Sequence, residues 1–282
     1  MTLRRTAARA ALPLLAAALL GGCASHATIP EHPAVPAALD RAAPEPVPAG
    51  TPPVGTPPQS TSAAALPEAT TNATLSRAPV DTDRQRPTDG VVLRVKKPTT
   101  VHGEPGGPAF AHLPAHQFGA PSWVPMIERR GDWARVLLPS RPNGATGWIN
   151  AGDARAVNAA ATPYRVDVDV DARRLVVREN GAEVGSWTVG VGAERTPTPR
   201  GRTFLVAAVA EEVPRFSRIV LPLGAHSDTL NSYGGGPGTV ALHGWPDPKV
   251  FGTASSDGCV RVPDEALRVL QRLPLGTLVL VH

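Results

Sequence analysis

Two side chains in this sequence have the means to do covalent chemistry together, Cys259 and His243. Cysteine occurs only twice in the 282 residues, at Cys23 and Cys259. The thiolate is the nucleophilic form, and an imidazole within reach can take the thiol proton. His243 closes a short apolar run, while Cys259 follows Ser256-Asp257-Gly258 and precedes Val260-Arg261-Val262. Gly258 lets a substrate carbonyl approach the chain, and N–H groups around the nucleophile are natural oxyanion donors. On residue types alone, a lone thiol packed into a core is the competing reading. An unpaired thiol in a secreted chain risks oxidation for no structural gain, which favours the reactive reading. His226 and Asp228 could join His243 and Cys259 around zinc, but the spacing fits no common zinc pattern. No metal or cofactor is expected.

Sixteen positions separate the imidazole from the thiol, so the chain must fold back to bring them together. Neighbouring strands of one sheet would do this, and Thr239–His243 and Cys259–Val262 read as such strands. The surrounding residues 162–282 read as mainly β. Arg165–Val170 alternates, with Val166, Val168 and Val170 on one face. Arg174–Arg178 and Val184–Val191 flank Asn180-Gly181, the strongest short-range hairpin signal. Thr203–Val209 and Thr277–Val281 read as further strands. Asp264–Leu273 carries Leu267, Leu270 and Leu273 at helical spacing ahead of Pro274, which predicts one short helix near the cysteine strand. Gly234–Gly238 lacks the lysine and helix of a phosphate-binding loop and reads as a loop beside the cleft.

The first half of the chain has a different character. Residues 1–22 combine a basic start, an Ala/Leu run and terminal glycines, the pattern of a secretory signal rather than a membrane span. Leu20-Gly21-Gly22-Cys23 resembles the lipobox of bacterial lipoproteins, which implies acylation of Cys23. Without Arg4, Arg5 and Arg9 of that leader, 25 basic residues face 24 acidic ones. A nucleic-acid partner therefore loses its electrostatic support. Residues 23–89 are rich in Pro, Ala and Thr and read as a disordered tether. At about 3 Å per residue it would reach roughly 200 Å if fully extended. The expected location is extracytoplasmic, anchored to the membrane by lipid and reaching into the wall or periplasm.

Residues 90–156 turn β-rich. Val91–Val95 reads as a strand, and Glu104-Pro105-Gly106-Gly107 as a turn. Trp123–Ile127 and Trp133–Leu138 read as a hairpin around Arg129-Arg130-Gly131-Asp132. Closely spaced turns suggest a small barrel. Gly131-Asp132-Trp133-Ala134-Arg135-Val136, followed by Gly147-Trp148-Ile149, resembles a bacterial Src-homology-3-like module.

Three motifs in the C-terminal part occur in the order of one enzyme family. Thr196-Pro197-Thr198-Pro199-Arg200-Gly201-Arg202-Thr203-Phe204, then His243-Gly244, then Ser256-Asp257-Gly258-Cys259-Val260-Arg261, resemble the YkuD-type L,D-transpeptidase catalytic domain over 162–282. The resemblance implies peptidoglycan cross-linking, with stem peptides as donor and acceptor. Cys259 would attack the third residue of a tetrapeptide stem, release D-alanine and hold a thioester. It also implies that His243 is the base, oriented by the Gly244 carbonyl, that the Gly258 and Cys259 N–H groups hold the oxyanion, and that Ser256 and Arg261 lie beside the substrate. Tyr233 is the tyrosine available ahead of the histidine, and Asp257 stands where many members carry histidine. A carboxylate there would raise the thiol pKa. Water as acceptor would make the same site an L,D-carboxypeptidase, and loss of activity would leave a wall-binding protein.

Overall fold

A computed structural model of the chain describes residues 65–211, 216–232 and 236–282. The expected leader, Cys23 and Tyr233 lie outside them. The architecture is mainly β with one α-helix among the described residues.

The N-terminal part holds β1 (Val91–Val95), β2 (Thr99–His102), β3 (Ala109–Leu113), β4 (His116–Gln117) and β5 (Ala120–Pro121). It continues with β6 (Trp123–Arg130), β7 (Trp133–Leu137), β8 (Thr146–Asn150) and β9 (Val157–Ala161). Seven of these strands form one sheet in the order β3-β2-β8-β7-β6-β1-β9, and β4 and β5 pair separately. The expected hairpin is β6–β7, which turns at Gly131 with φ 57°. β9 runs past the expected boundary at 156. It pairs along its whole length with β1, and Val157 at its start is buried, so the sheet ends at Ala161.

The C-terminal part begins with β10 (Tyr164–Asp169), β11 (Arg174–Glu179), β12 (Ala182–Thr188), β13 (Val191–Gly192), β14 (Gly201–Phe204) and β15 (Val209–Ala210). Then come β16 (Ile219–His226), β17 (Thr239–His243), β18 (Ala254–Ser256), β19 (Val260–Arg261), α1 (Asp264–Leu270) and β20 (Leu278–Val281). Asn180 and Gly181 both take positive φ, 50° and 84°, as a two-residue hairpin turn requires. A five-stranded sheet, β12-β11-β10-β20-β14, and a four-stranded sheet, β15-β16-β17-β19, share one core. Val166, Val168 and Val177 enter that core from the first sheet, Leu221, Leu242 and Val260 from the second, and Ala266 and Leu270 from α1. Pro263 leads into α1, and Asp264 and Glu265 in its first turn complement the helix dipole. Asp167 is buried on the polar face of β10, where Arg165 and Arg178 each pair with it at 2.7 Å.

The expected tether does not extend to residue 89. Residues 65–89 are not a free spacer: Ala69, Leu75 and Ala78 are buried in the core of the N-terminal sheet. Asp81 is buried against Arg202 of β14, which donates to both carboxylate oxygens. Alternating hydrophobicity is absent here because the stretch binds by isolated anchors rather than as a regular element. The N-terminal core also takes in Phe204, Val206 and Leu278, so the two β regions share apolar packing.

Candidate active site

The site is built on β17 and β19. These strands pair in parallel, with Leu242 opposite Val260 and His243 opposite Arg261. One step back along the ladder sets Cys259 beside Ala241, whose backbone hydrogen-bonds the thiol. Alternate residues share a face. Ala241 and His243 therefore point the same way as Cys259 and Arg261. His243 and Cys259 are diagonal neighbours across the parallel pair. The fold thus brings the two sequence-selected residues onto one surface.

His243 is buried and its orientation is fixed. Its Nδ1 lies 2.7 Å from the Gly244 carbonyl. A carbonyl only accepts, so Nδ1 carries the proton and Nε2 is the basic nitrogen. The Gly244 peptide is held in turn by its N–H, which donates to Ser217 Oγ at 2.8 Å. Phe216 packs edge-on against the imidazole at 4.7 Å between centroids. Burial holds the His243 pKa below the ordinary imidazole value; the Gly244 carbonyl works against that shift and the Arg261 charge adds to it. Burial pushes the Cys259 thiol up, while the Ala241 backbone and Arg261 pull it down and Asp257 adds a rise. Both shifts favour the neutral forms, thiol and imidazole, over thiolate and imidazolium.

The turn carrying Cys259 is closed by Ser256. Its buried hydroxyl donates to the Cys259 carbonyl at 2.6 Å and accepts from the Gly258 N–H at 3.2 Å. The Gly258 N–H is therefore engaged inside the turn, which corrects its expected role as an oxyanion donor. Ser256 likewise points into the turn, not outward as a substrate contact, because its oxygen satisfies two backbone groups there. Gly258 takes φ 113°, a region essentially closed to other residues. The Thr196-Pro197-Thr198 motif braces the same turn. Thr196 Oγ1 and the Ala193 N–H both donate to the Ser256 carbonyl, each at 2.9 Å.

Arg261 lies with its guanidinium carbon 3.9 Å from the centre of the Trp245 ring and bonds Ser255 Oγ at 3.3 Å. Its Nε is buried without a partner. Asp257 is exposed and forms no ion pair with Arg261 among the described residues. A cleft of about 1120 Å³ lies beside Gly244, walled by Phe216, Trp245, Phe251, Pro263 and the first turn of α1; neither His243 nor Cys259 lines it. His226 lies away from this centre, fully buried, with Nε2 at 2.7 Å from the Thr71 carbonyl. Phe216 and Ser217 were not singled out by the sequence, since nothing local marks a phenylalanine or serine as the neighbour of a histidine 26 or more positions on.

This constellation coincides with a known domain. Residues 163–281 match the YkuD family model, the L,D-transpeptidase catalytic domain. The YkuD-matching segment starts at the head of β10 and ends with β20, so it contains both sheets of the shared core. The YkuD protein of Bacillus licheniformis is 28% identical over 148 residues, covering 51% of this chain and 82% of that protein. That of Bacillus subtilis is 26% identical over 152 residues, covering 52% and 85%. Among solved structures, the catalytic domain of an Enterococcus faecium (E. faecium) L,D-transpeptidase is 17% identical, with TM-score 0.34, over 42% of this chain and 96% of that one.

Proposed function

We propose that the protein is a cysteine-dependent L,D-transpeptidase that cross-links peptidoglycan stem peptides. His243 Nε2 takes the Cys259 proton as Sγ attacks the carbonyl of the third residue of a tetrapeptide stem. The tetrahedral intermediate collapses to a thioester, and the imidazolium returns the proton to the departing D-alanine amine. An amine of a second stem then attacks the thioester, its proton passes to His243, and the thiol is regenerated with the new amide bond. The supporting observation is the shared face of Cys259 and His243, with Nδ1 tied to the Gly244 carbonyl and Nε2 left free to act.

A neutral resting pair suits general-base attack, because the thiolate need form only as substrate engages. Arg261, stacked on Trp245 and holding an unpartnered buried Nε, is suited to a substrate carboxylate or carbonyl. Asp257 and Tyr233 are the remaining proposed substrate contacts. The N-terminal sheet is proposed as a Src-homology-3-like module that presents the enzyme to wall polymer. Cys23 is proposed as the acylated residue of a membrane anchor, and Cys23→Ala is expected to release the protein from the membrane fraction.

The test is incubation of the soluble chain with disaccharide-tetrapeptide, with products weighed by mass spectrometry. Cross-linked dimer and free D-alanine are expected from the parent and neither from Cys259→Ala. Tripeptide without dimer would replace transpeptidation with carboxypeptidase action, and no product at all would sink both.

A further inference from the structure

The Arg141-Pro142-Asn143 turn between β7 and β8 reaches across to the C-terminal part. Arg141 Nη1 donates to the Ser227 carbonyl at 3.0 Å, and Nη2 donates to the carbonyls of Leu230 and Pro237, both at 3.0 Å. Asn143 Nδ2 donates to the His226 carbonyl at 2.7 Å and to Asp228 Oδ1 at 2.8 Å. Its Oδ1 accepts the His226 N–H at 2.8 Å. The Asn143 amide therefore engages both backbone groups of His226, as a residue of a neighbouring strand would.

These bonds converge on one connection. His226 ends β16, and the Ser227 N–H donates to the Gly238 carbonyl at 2.8 Å, one residue before β17 begins. The crossing is tight: a Cβ on Gly238 would sit 2.3 Å from the Leu230 carbonyl oxygen and 3.0 Å from Arg141 Nη2. One guanidinium thus ties both ends of the link between β16 and β17. β17 is the strand whose Ala241 backbone bonds the Cys259 thiol and whose last residue is His243. Arg141 faces backbone carbonyls here and forms no ion pair among the described residues, so what it recognises is the loop's conformation rather than a charge.

We propose that Arg141 and Asn143 are positioning residues for the reaction centre: the N-terminal module fixes where β17 starts and so holds His243 in register with Cys259. The kinetic consequence rests on the transpeptidase reading, whereas the structural one does not. The experiment uses the full soluble chain as parent, Arg141→Ala, Arg141→Lys and Asn143→Ala. Amide hydrogen exchange is followed across 226–243, and kcat and KM are measured with disaccharide-tetrapeptide. Arg141→Ala is expected to speed exchange at 239–243 at least tenfold, with β10, β11 and the N-terminal sheet unchanged, and to lower kcat about tenfold with KM within twofold. Arg141→Lys restores part of this, since one ammonium reaches the Leu230 and Pro237 carbonyls but not Ser227 as well. Asn143→Ala loosens the end of β16 in the same way and serves as the second probe should Arg141→Ala fold poorly. Unchanged exchange at 239–243 in both alanine variants overturns the proposal. Exchange needs no substrate, so it decides the matter even for a parent that cross-links nothing, a result that would count against transpeptidation alone.

Discussion

At the scale of single residues, the site is a study in how burial sets protonation. His243 and Cys259 are moved in opposite directions by the same cause, since burial disfavours whichever form is charged. A lowered imidazole pKa keeps Nε2 unprotonated as pH falls, so base function is lost only below the ordinary imidazole value of 6.5. The acid limb of kcat/KM is expected below that value. Alkylation of the free enzyme by iodoacetamide, which reports thiolate, is expected to have its midpoint above the ordinary thiol value of 9.0. An alkylation midpoint near neutrality would instead mean a preformed ion pair. Ser256 offers a second test. Ser256→Ala leaves the Gly258 N–H and the Cys259 carbonyl without their shared hydroxyl, and a lost hydrogen bond of this kind costs about 0.5–1.5 kcal/mol. We expect kcat to fall about tenfold while the melting temperature moves only a few degrees, as read by single-turnover acylation and thermal unfolding.

At the scale of elements, the parallel β17–β19 pair is what carries the proposed histidine and cysteine on neighbouring strands. Parallel strands need a crossover, and the 3-10 turn at Pro248–Val250 and β18 supply it within the sixteen positions. The crossover ends at Gly258, whose φ of 113° sets the backbone turn into Cys259. A methyl group there has room, with no atom nearer than 3.6 Å, so the penalty for Gly258→Ala is conformational rather than steric. The expected cost is about 1–3 kcal/mol of local strain. It should appear as slower thiol alkylation at high pH and lower kcat, with the unfolding midpoint in urea displaced by less than a core truncation such as Leu242→Ala would cause.

At the scale of the whole molecule, the two β regions behave as one body. Phe204, Val206 and Leu278 belong to the C-terminal sequence yet are buried in the N-terminal core. The Arg202–Asp81 ion pair is buried on both sides, with side-chain exposures of 6% and 2%. Removing one partner of such a pair strands a charge and costs about 3–5 kcal/mol. Asp81→Ala is therefore expected to lower unfolding stability by that order in urea titration, and Asp81→Asn by less, because an amide keeps a carbonyl acceptor for the guanidinium. An unchanged midpoint for both would show that residue 81 is no anchor.

Much of the local structure around the proposed pair was legible in the sequence. Cys259, His243, the Asn180-Gly181 turn, the strand Thr239–His243 and the helix beginning at Asp264 all follow from residue type, alternation or spacing, and these act over a few positions. Strand β16 was not legible: Ile219–His226 contains Pro222 and Gly224, and it is buried on both faces, so no polar–apolar alternation marks it. The packing of 65–89, the capture of the Gly258 N–H by Ser256 and the grip of Arg141 on the β16–β17 link belong to the tertiary structure. Arg141 finds its partners 86, 89 and 96 residues away. The acceptors are backbone carbonyls, which every residue carries, so no local pattern could have marked them. Sequence determined which thiol and imidazole are available for the proposed reaction; the folded chain decided which neighbouring donors are already engaged and which distant turn grips the strand that carries them.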